Sequence, residues 1–248
     1  MSHQITRVRH ELRRRSLTVN RKEQVTPNML RIWLGGDDLA GFTSLGADDH
    51  VKVFVPGTGE KAEMRDYTPR RYDEAAGELA IDFALHDAGP ATAWAIGSAP
   101  GDTLEIGGPR GSMVVPTDFD WFLLIGDETA LPAIGRRLEE LPSGVKVITL
   151  AAVTGPEEEQ AFDTAADHTA IWVHRPAARA ADPEALLEPL RTLDLPAGDG
   201  FVWIAAEADV VRGVRRHVLE DRGHPLPWSK ASGYWIKGKA DSTEKFES

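Results

Sequence analysis

The sequence contains no cysteine among its 248 residues. That removes disulfides, thiolate nucleophiles, dithiol relays and cysteine-held iron–sulfur clusters together. No run approaches the roughly 18 apolar residues of a membrane span. Residues 1–20 are rich in arginine and lack the apolar core of a secretory signal, so the expected location is the cytoplasm. Positive charge is in deficit, with 28 Lys+Arg against 39 Asp+Glu and a formal charge of −11. A nucleic-acid partner is therefore not expected, because such binding needs basic surface to displace counterions. Tyrosine is scarce as well, at 3 residues, so a tyrosine inside a motif stands out.

What is present is a globular composition, 42% hydrophobic and 27% charged. The length suits one large domain or two small ones. The first 25 residues carry Arg7, Arg9, Arg13, Arg14, Arg15, Arg21 and Lys22, read as a solvated strand edge or a loose arm. From residue 17 to about 115, short β-runs alternate with Gly, Pro and Asp. Strands are expected at 17–24, 29–34, 50–55, 63–67, 78–84 and 103–106, with one helical insert at 90–96. Their spacing predicts an antiparallel barrel or sandwich. The second half alternates strand and helix: strands at 121–125, 145–153, 170–174 and 201–206, helices at 131–141, 183–193 and 210–222. That order predicts a parallel sheet with helices on its faces. Asp182-Pro183 and Asp209 are candidate helix starts. The expected organisation is a two-domain chain, an antiparallel β-barrel over 1–116 and an α/β domain over 117–248.

Four clusters carry chemistry. In Met64-Arg65-Asp66-Tyr67-Thr68-Pro69-Arg70, strand alternation puts Arg65 and Tyr67 on one face. A ring beside a guanidinium suits a planar, phosphate-bearing cofactor, and equally an ordinary barrel strand. In His86-Asp-Ala-Gly89-Pro90-Ala91-Thr92-Ala-Trp94, a Gly-Pro loop enters a helix whose free N–H groups suit a pyrophosphate. The plain alternative is a loop-to-helix entry. Gly107-Gly-Pro-Arg110-Gly-Ser112 is a Gly-rich strand exit that allows close backbone approach. Leu123-Leu-Ile-Gly126-Asp127-Glu128-Thr129-Ala-Leu-Pro132 joins a buried strand to a helix through a glycine turn. Open α/β sheets bind nucleotides at such strand ends. It is not G-x-G-x-x-G.

Taken in this order, together with Val51-Lys52-Val-Phe54 and Gly233-Tyr-Trp235-Ile-Lys237-Gly238, the clusters resemble the siderophore-interacting protein family, the FAD-dependent ferric-siderophore reductases of the ferredoxin–NADP reductase-like superfamily. The resemblance spans about residues 19–238. It implies an FAD-binding barrel followed by an NAD(P)H-binding domain. By the same resemblance, Arg65, Tyr67 and Thr68 would cradle the flavin, and His86, Ala91, Thr92 and Trp94 would line the rest of the FAD. Gly126, Asp127, Thr129 and Glu207 would border the nicotinamide nucleotide. Lys52, Arg110, Trp235 and Lys237 would meet the ferric siderophore. No side chain is expected to be catalytic in itself, because the flavin carries the electrons. No protein-bound metal is expected, since the eight His show no ligand spacing. Ser98 and Ser112 lack a nucleophile elbow.

Two other readings remain beside the reductase: a flavin electron-transfer enzyme with another acceptor, and a siderophore-binding protein without catalysis. The donor is NADH or NADPH. The acidic run at 157–159 leans towards NADH, whereas Arg175 and Arg179 would favour the 2′-phosphate of NADPH. The chain is expected to be a monomer. The polar tail after Lys239 is read as disordered or a short helix.

Overall fold

A computed structural model describes residues 3–55, 63–85, 89–239 and 242–246. The chain divides into two compact units, Met1–Pro116 with Gly135–Arg137, and Thr117–Ile134 with Leu138–Ser248.

The first unit holds β1 (Thr6–Arg9), β2 (Arg14–Thr26), β3 (Met29–Gly35), β4 (Val51–Val55), β5 (Glu63–Tyr67), β6 (Pro69–Asp73), β7 (Glu78–Ala84), α1 (Pro90–Gly97), β8 (Thr103–Gly107) and β9 (Gly111–Val114). Seven of the strands form one antiparallel sheet in the order β5-β4-β8-β2-β3-β7-β6. Its two end strands, β5 and β6, are joined through Thr68 alone. A single residue reaches only about 3.5 Å. The sheet must therefore curl until its ends nearly meet, which is the barrel the sequence predicts. Period-two alternation fills the interior: Leu17 and Val19 of β2, Val51, Val53 and Val55 of β4, and Leu104 and Ile106 of β8 are buried. Helix α1 adds Ala91 and Ala95 to the same core.

The basic N-terminal segment is structured, contrary to a loose arm. β1 pairs with β9, and β2 runs to Thr26. Arg15 occupies an inward position of β2 and is 5% exposed. Its guanidinium donates to the carbonyls of Gly108 at 3.2 Å and Gly41 at 3.3 Å and lies 5.3 Å from the Phe42 ring centre. Burial, with Arg13 adding to it, lowers its pKa from the ordinary arginine value. Two further strands escaped the sequence pattern, because β6 begins with a proline and β9 with a glycine.

The second unit holds β10 (Trp121–Gly126), α2 (Leu131–Glu140), β11 (Lys146–Val153), β12 (Asp167–His174), α3 (Glu184–Thr192), β13 (Gly200–Glu207), α4 (Ala208–Arg216), β14 (Ser229–Trp235) and β15 (Glu244–Lys245). Its six-stranded sheet runs β12-β11-β10-β13-β14-β15. All pairs are parallel except the last, so the expected parallel sheet gains an antiparallel edge. That edge comes from the tail, which is strand rather than helix. Glu244 and Lys245 pair with Gly233 and Ser232. β10 and β13 are buried throughout, as expected of parallel strands covered on both faces. Leu186, Leu187 and Leu190 of α3, with Val210, Val211 and Val214 of α4, pack on the face carrying Leu123, Ile125 and Ile204.

Helix ends follow local chemistry. The Asp182 carboxylate accepts from Glu184 N at 3.0 Å, as the Asp-Pro pair predicts. Asp209 does not cap α4. The Glu207 side chain does, accepting from Asp209 N at 2.6 Å and Val210 N at 3.4 Å. Asp209 instead lies in the first turn and pairs with Arg212. The α-helix ends at Arg216 and continues as a π-turn through Asp221.

Gly126 is needed for space. A Cβ there would collide with Ala130 Cβ and come within 2.8 Å of Ala205 O. Gly126→Ala is expected to lower stability by about 1–3 kcal/mol through overpacking, read as a lower urea midpoint. Two histidines set a pH dependence. His168, bonded to Thr149 Oγ1 at 2.9 Å, and His224, bonded to Trp228 O at 3.2 Å, have pKa values lowered by burial. The folded state thus holds fewer protons than the unfolded chain on these groups. Their stability contribution is full above the unfolded value of about 6.5 and is lost as pH falls through it towards the folded values. The urea midpoint should fall from about pH 7 to about pH 5. A His168→Asn, His224→Asn double variant should show a shallower fall.

Candidate functional site

In the first unit, β5 is an end strand and presents its side chains in register with β4. Tyr67 stands opposite Val51 and Arg65 opposite Val53, while Asp66 stands opposite Lys52 and Met64 opposite Phe54. Arg65 and Tyr67 therefore share one face, as alternation predicts, and Lys52 lies on the other. The Tyr67 ring lies 4.4 Å from Phe83 of β7, which lies 5.9 Å from Trp94 of α1. Burial pushes the Tyr67 phenol well above its usual range, with Arg65 opposing slightly, so it stays protonated and acts as a ring and hydroxyl. Arg65 is half-buried and held by its own strand. It donates to Glu63 Oε2 at 2.8 Å and to Met64 O at 2.8 Å.

Thr68, at the corner between β5 and β6, is 7% exposed. α1 starts at Pro90 after Gly89, with no side-chain cap on its N-terminus. Its first-turn Ala91 and Thr92 are buried and Trp94 is half-buried. The structure thus brings Tyr67 and Trp94 to the same aromatic cluster through Phe83. His86 lies outside the described residues. The surroundings suit FAD: a ring array at a sheet end, a guanidinium on the same strand face, and an uncapped helix start whose free N–H groups favour an anion.

Lys52 and Arg110 differ in their settings. Lys52 Nζ is 3.0 Å from Asp66 Oδ2, with side chains 35% and 25% exposed. Arg110 is exposed, and no hydrogen bond or ion pair of its side chain is found among the described residues. It leaves β8 through Gly107, the residue opposite both Lys52 and Arg14.

In the second unit, two buried carboxylates sit at the carboxyl ends of neighbouring parallel strands. Asp127 and Glu207 are each 1% exposed. Asp127 Oδ1 accepts from Thr129 N at 3.0 Å and Thr129 Oγ1 at 2.5 Å. Its Oδ2 accepts from Glu207 N at 3.0 Å and Trp235 Nε1 at 2.8 Å. Glu207 Oε2 caps α4, and its Oε1 accepts from Lys237 N at 3.0 Å. Asp127, Thr129, Glu207, Trp235 and Lys237, chosen as separate candidates, thus form one network. Each carboxylate is engaged by donors of its own unit. Tyr234 points elsewhere, edge-on to Trp203 with ring centres 6.1 Å apart. Lys237 is exposed, and its Nζ donates to Ala178 O at 3.3 Å.

Other groups became visible only in three dimensions. Arg175 is 4% exposed on its side chain and forks onto Glu128 at 3.2 and 2.8 Å. Burial, then neighbouring Asp127, raises the Glu128 pKa, and Arg175 opposes them. Arg179 is likewise engaged, by Asp182. On the acidic side, Glu158 is 3% exposed and Glu159 meets His174 Nε2 at 2.8 Å. Arg70, within the first motif, is buried 3.8 Å from Asp82, which Arg31 grips at 2.6 and 2.8 Å. Ser112 Oγ lies 2.7 Å from His10 Nε2 and 2.5 Å from Asp49 Oδ2. The hydroxyl sits between ring and carboxylate, so the carboxylate does not orient the imidazole as a nucleophile's base requires. Phe83, Asp66 and Glu63 carried no local signal beyond strand alternation. Register with β4 was needed to find Asp66.

Comparison with known proteins covers both units. Residues 18–63 and 56–113 match the siderophore-interacting FAD-binding domain, and residues 119–238 match the siderophore-interacting protein family. The chain is 38% identical to the NADPH-dependent ferric-chelate reductase of Escherichia coli over 92% of this chain and 95% of that one. It is 29% identical to the ferric vibriobactin reductase of Vibrio cholerae over 96% of this chain and 94% of that one. A crystal structure of a siderophore utilization protein from T. fusca superposes with a TM-score of 0.90 at 36% identity, over 96% of this chain and 98% of that one. With both units matched in order and full-length relatives on either side of one-third identity, the chain belongs to the siderophore-interacting protein family.

Proposed function

We propose that the protein is an FAD-dependent, NAD(P)H-using reductase of ferric siderophores, acting as a cytoplasmic monomer. The observation that carries this reading is the end-to-end match, over both units, to a relative named as a ferric-chelate reductase. The Tyr67–Phe83–Trp94 cluster beside Arg65 supports it independently. Among the described residues, no helix is long and apolar enough to cross a membrane. Large apolar side chains left exposed, such as Leu12, Leu45 and Ile96, lie far apart in sequence.

In this reading, Tyr67 offers its ring to the isoalloxazine and Thr68 its hydroxyl. Arg65 leaves Glu63 to meet a phosphate, and the first turn of α1, with Ala91, Thr92 and Trp94, receives the pyrophosphate end. Bound FAD would supply the chemistry, taking two electrons from the nicotinamide and passing them singly to Fe(III). Gly126 lets Ala130 and β13 pack closely at the strand end where the nicotinamide nucleotide would bind. Asp127 and Glu207 act as positioning residues, holding Trp235 and the Lys237 backbone at that sheet edge. Lys52, Arg110 and Lys237 attract an anionic chelate to an acidic protein. Reduction lowers the charge on iron and weakens its hold on hard oxygen donors, so the iron is released.

The test is an anaerobic spectrum of FAD-loaded protein. NADPH or NADH should bleach the oxidised flavin band. A ferric siderophore should then restore it, with Fe(II) captured by a ferrous chelator. Bleaching with no recovery by any ferric chelate overturns the assignment of acceptor, and failure to take up FAD overturns the reading altogether.

Two variants probe the residues. Tyr67→Ala should weaken FAD binding about tenfold, since an aromatic stack contributes about 0.5–1.5 kcal/mol beyond burial, measured by flavin fluorescence titration. Asp127→Ala strands the Trp235 and Glu207 donors. It should lower stability by about 3 kcal/mol and shift indole emission to longer wavelength, a shift missing in a Trp235→Phe background.

A further inference from the structure

The outward face of β4 and β5 carries Lys52 and Asp66 directly opposite one another. Cross-strand neighbours on one face are the closest side-chain pairs a sheet offers. Here the opposition is realised as an ion pair of 3.0 Å with both partners half-buried. The other acidic group on this face is otherwise engaged. Glu105 pairs with Arg14, whose guanidinium lies 4.1 Å over Phe54. Asp66 thus has Lys52 as its cationic partner. Its second oxygen, Oδ1, is buried and accepts no hydrogen bond from the described residues. A buried carboxylate oxygen without a donor is rare and costly, and it repels an approaching anion.

We propose that Asp66 is a specificity-determining residue that discriminates ferric chelates by their charge. The proposal rests on the reading of Lys52 as a substrate contact. In the free protein Asp66 neutralises Lys52, so the local positive charge falls to Arg110. The Lys52 ammonium has donors to spare, so an anionic chelate can reach it, but only beside the Asp66 carboxylate, with which it competes for the same positive charge. The two negative groups then share one cation and repel each other. An uncharged chelate does not face that competition. Asp66 therefore lowers affinity in proportion to the negative charge of the chelate, which also favours departure of the freed anionic ligand after iron is reduced.

Two probes of known charge separate the effects: a ferric tris-catecholate, which is triply negative, and a ferric tris-hydroxamate, which is neutral. Binding is followed by quenching of protein fluorescence in oxidised, FAD-loaded protein without nucleotide, so no turnover is involved. Asp66→Asn keeps the side-chain shape and removes the charge. It should tighten the tris-catecholate about tenfold, steepen its salt dependence, and leave the tris-hydroxamate within about twofold. In a Lys52→Gln background the gain should be at least as large, because the Asp66 charge then repels the anion with no cation beside it. Asp66→Ser serves as a second variant and should move affinity the same way. If Lys52→Gln weakens the tris-catecholate while neither Asp66 variant tightens it, the charge filter is overturned and the substrate reading of Lys52 stands. Equal gains for both chelates also overturn the filter. If Lys52→Gln alone changes nothing, the reading of Lys52 fails, and the filter fails with it.

Discussion

The alternation of side chains along β4 and β5 is the constraint on which the first unit's chemistry depends. A period of two gives five residues of β5 two destinations. Arg65 and Tyr67 are sent to the face that Val51 and Val53 share, where Phe83 and α1 build an aromatic floor. Met64 and Asp66 are sent to the face of Phe54 and Lys52. A slip of one residue would exchange the two sets and turn Tyr67 away from Phe83. The register is secured from both ends. Thr68 turns the chain at once into β6, and Tyr67 meets Phe83 only from the face of Val51. On the proposed reading, separate faces let one short strand serve a planar cofactor on one side and an ionic recognition element on the other.

The second unit solves a different problem. The carboxyl ends of parallel strands leave backbone groups unpaired, and the chain places two carboxylates there. Buried charges are stable only when their lone pairs are met by donors. Asp127 and Glu207 satisfy that condition with a threonine, an indole and the backbone N–H groups of three segments. The result is a joint where β10, β13 and the chain following β14 are locked together. Its function is geometric. A carboxylate whose oxygens are both engaged holds its neighbours in place, and the side chains available to a ligand are those it positions.

Much of this was legible in the sequence. The apolar run Trp121–Gly126 between polar flanks marks a covered parallel strand, and the Asp182-Pro183 pair marks a helix start. The barrel strands show through their alternation. What stayed hidden depended on distant partners. Arg15 reads as one more surface arginine until the carbonyls of Gly41 and Gly108 are brought to it. β15 is two polar residues and has no pattern of its own; only the open edge of β14 makes it a strand. Arg175 reads as a free cation suited to a 2′-phosphate, yet it closes on Glu128 across the sheet. Local pattern reports propensity and periodicity. It does not report which charge will meet which.

The same limit explains why motif membership and role diverge within a few residues. Arg65, Asp66 and Arg70 belong to one motif. Arg65 is held by Glu63 on a half-exposed face, where a stronger anion can displace its partner. Arg70 is 4% exposed beside Asp82, which Arg31 also grips, so removing it would leave buried negative charge under-compensated. Asp66 carries the sign opposite to both and restrains Lys52. On the proposed reading, three charged residues in six positions serve binding, framework and restraint, and burial with the identity of the opposing strand decides which. A resemblance that transfers the motif as a block transfers the first of these. The other two have to be read from the partners each side chain meets.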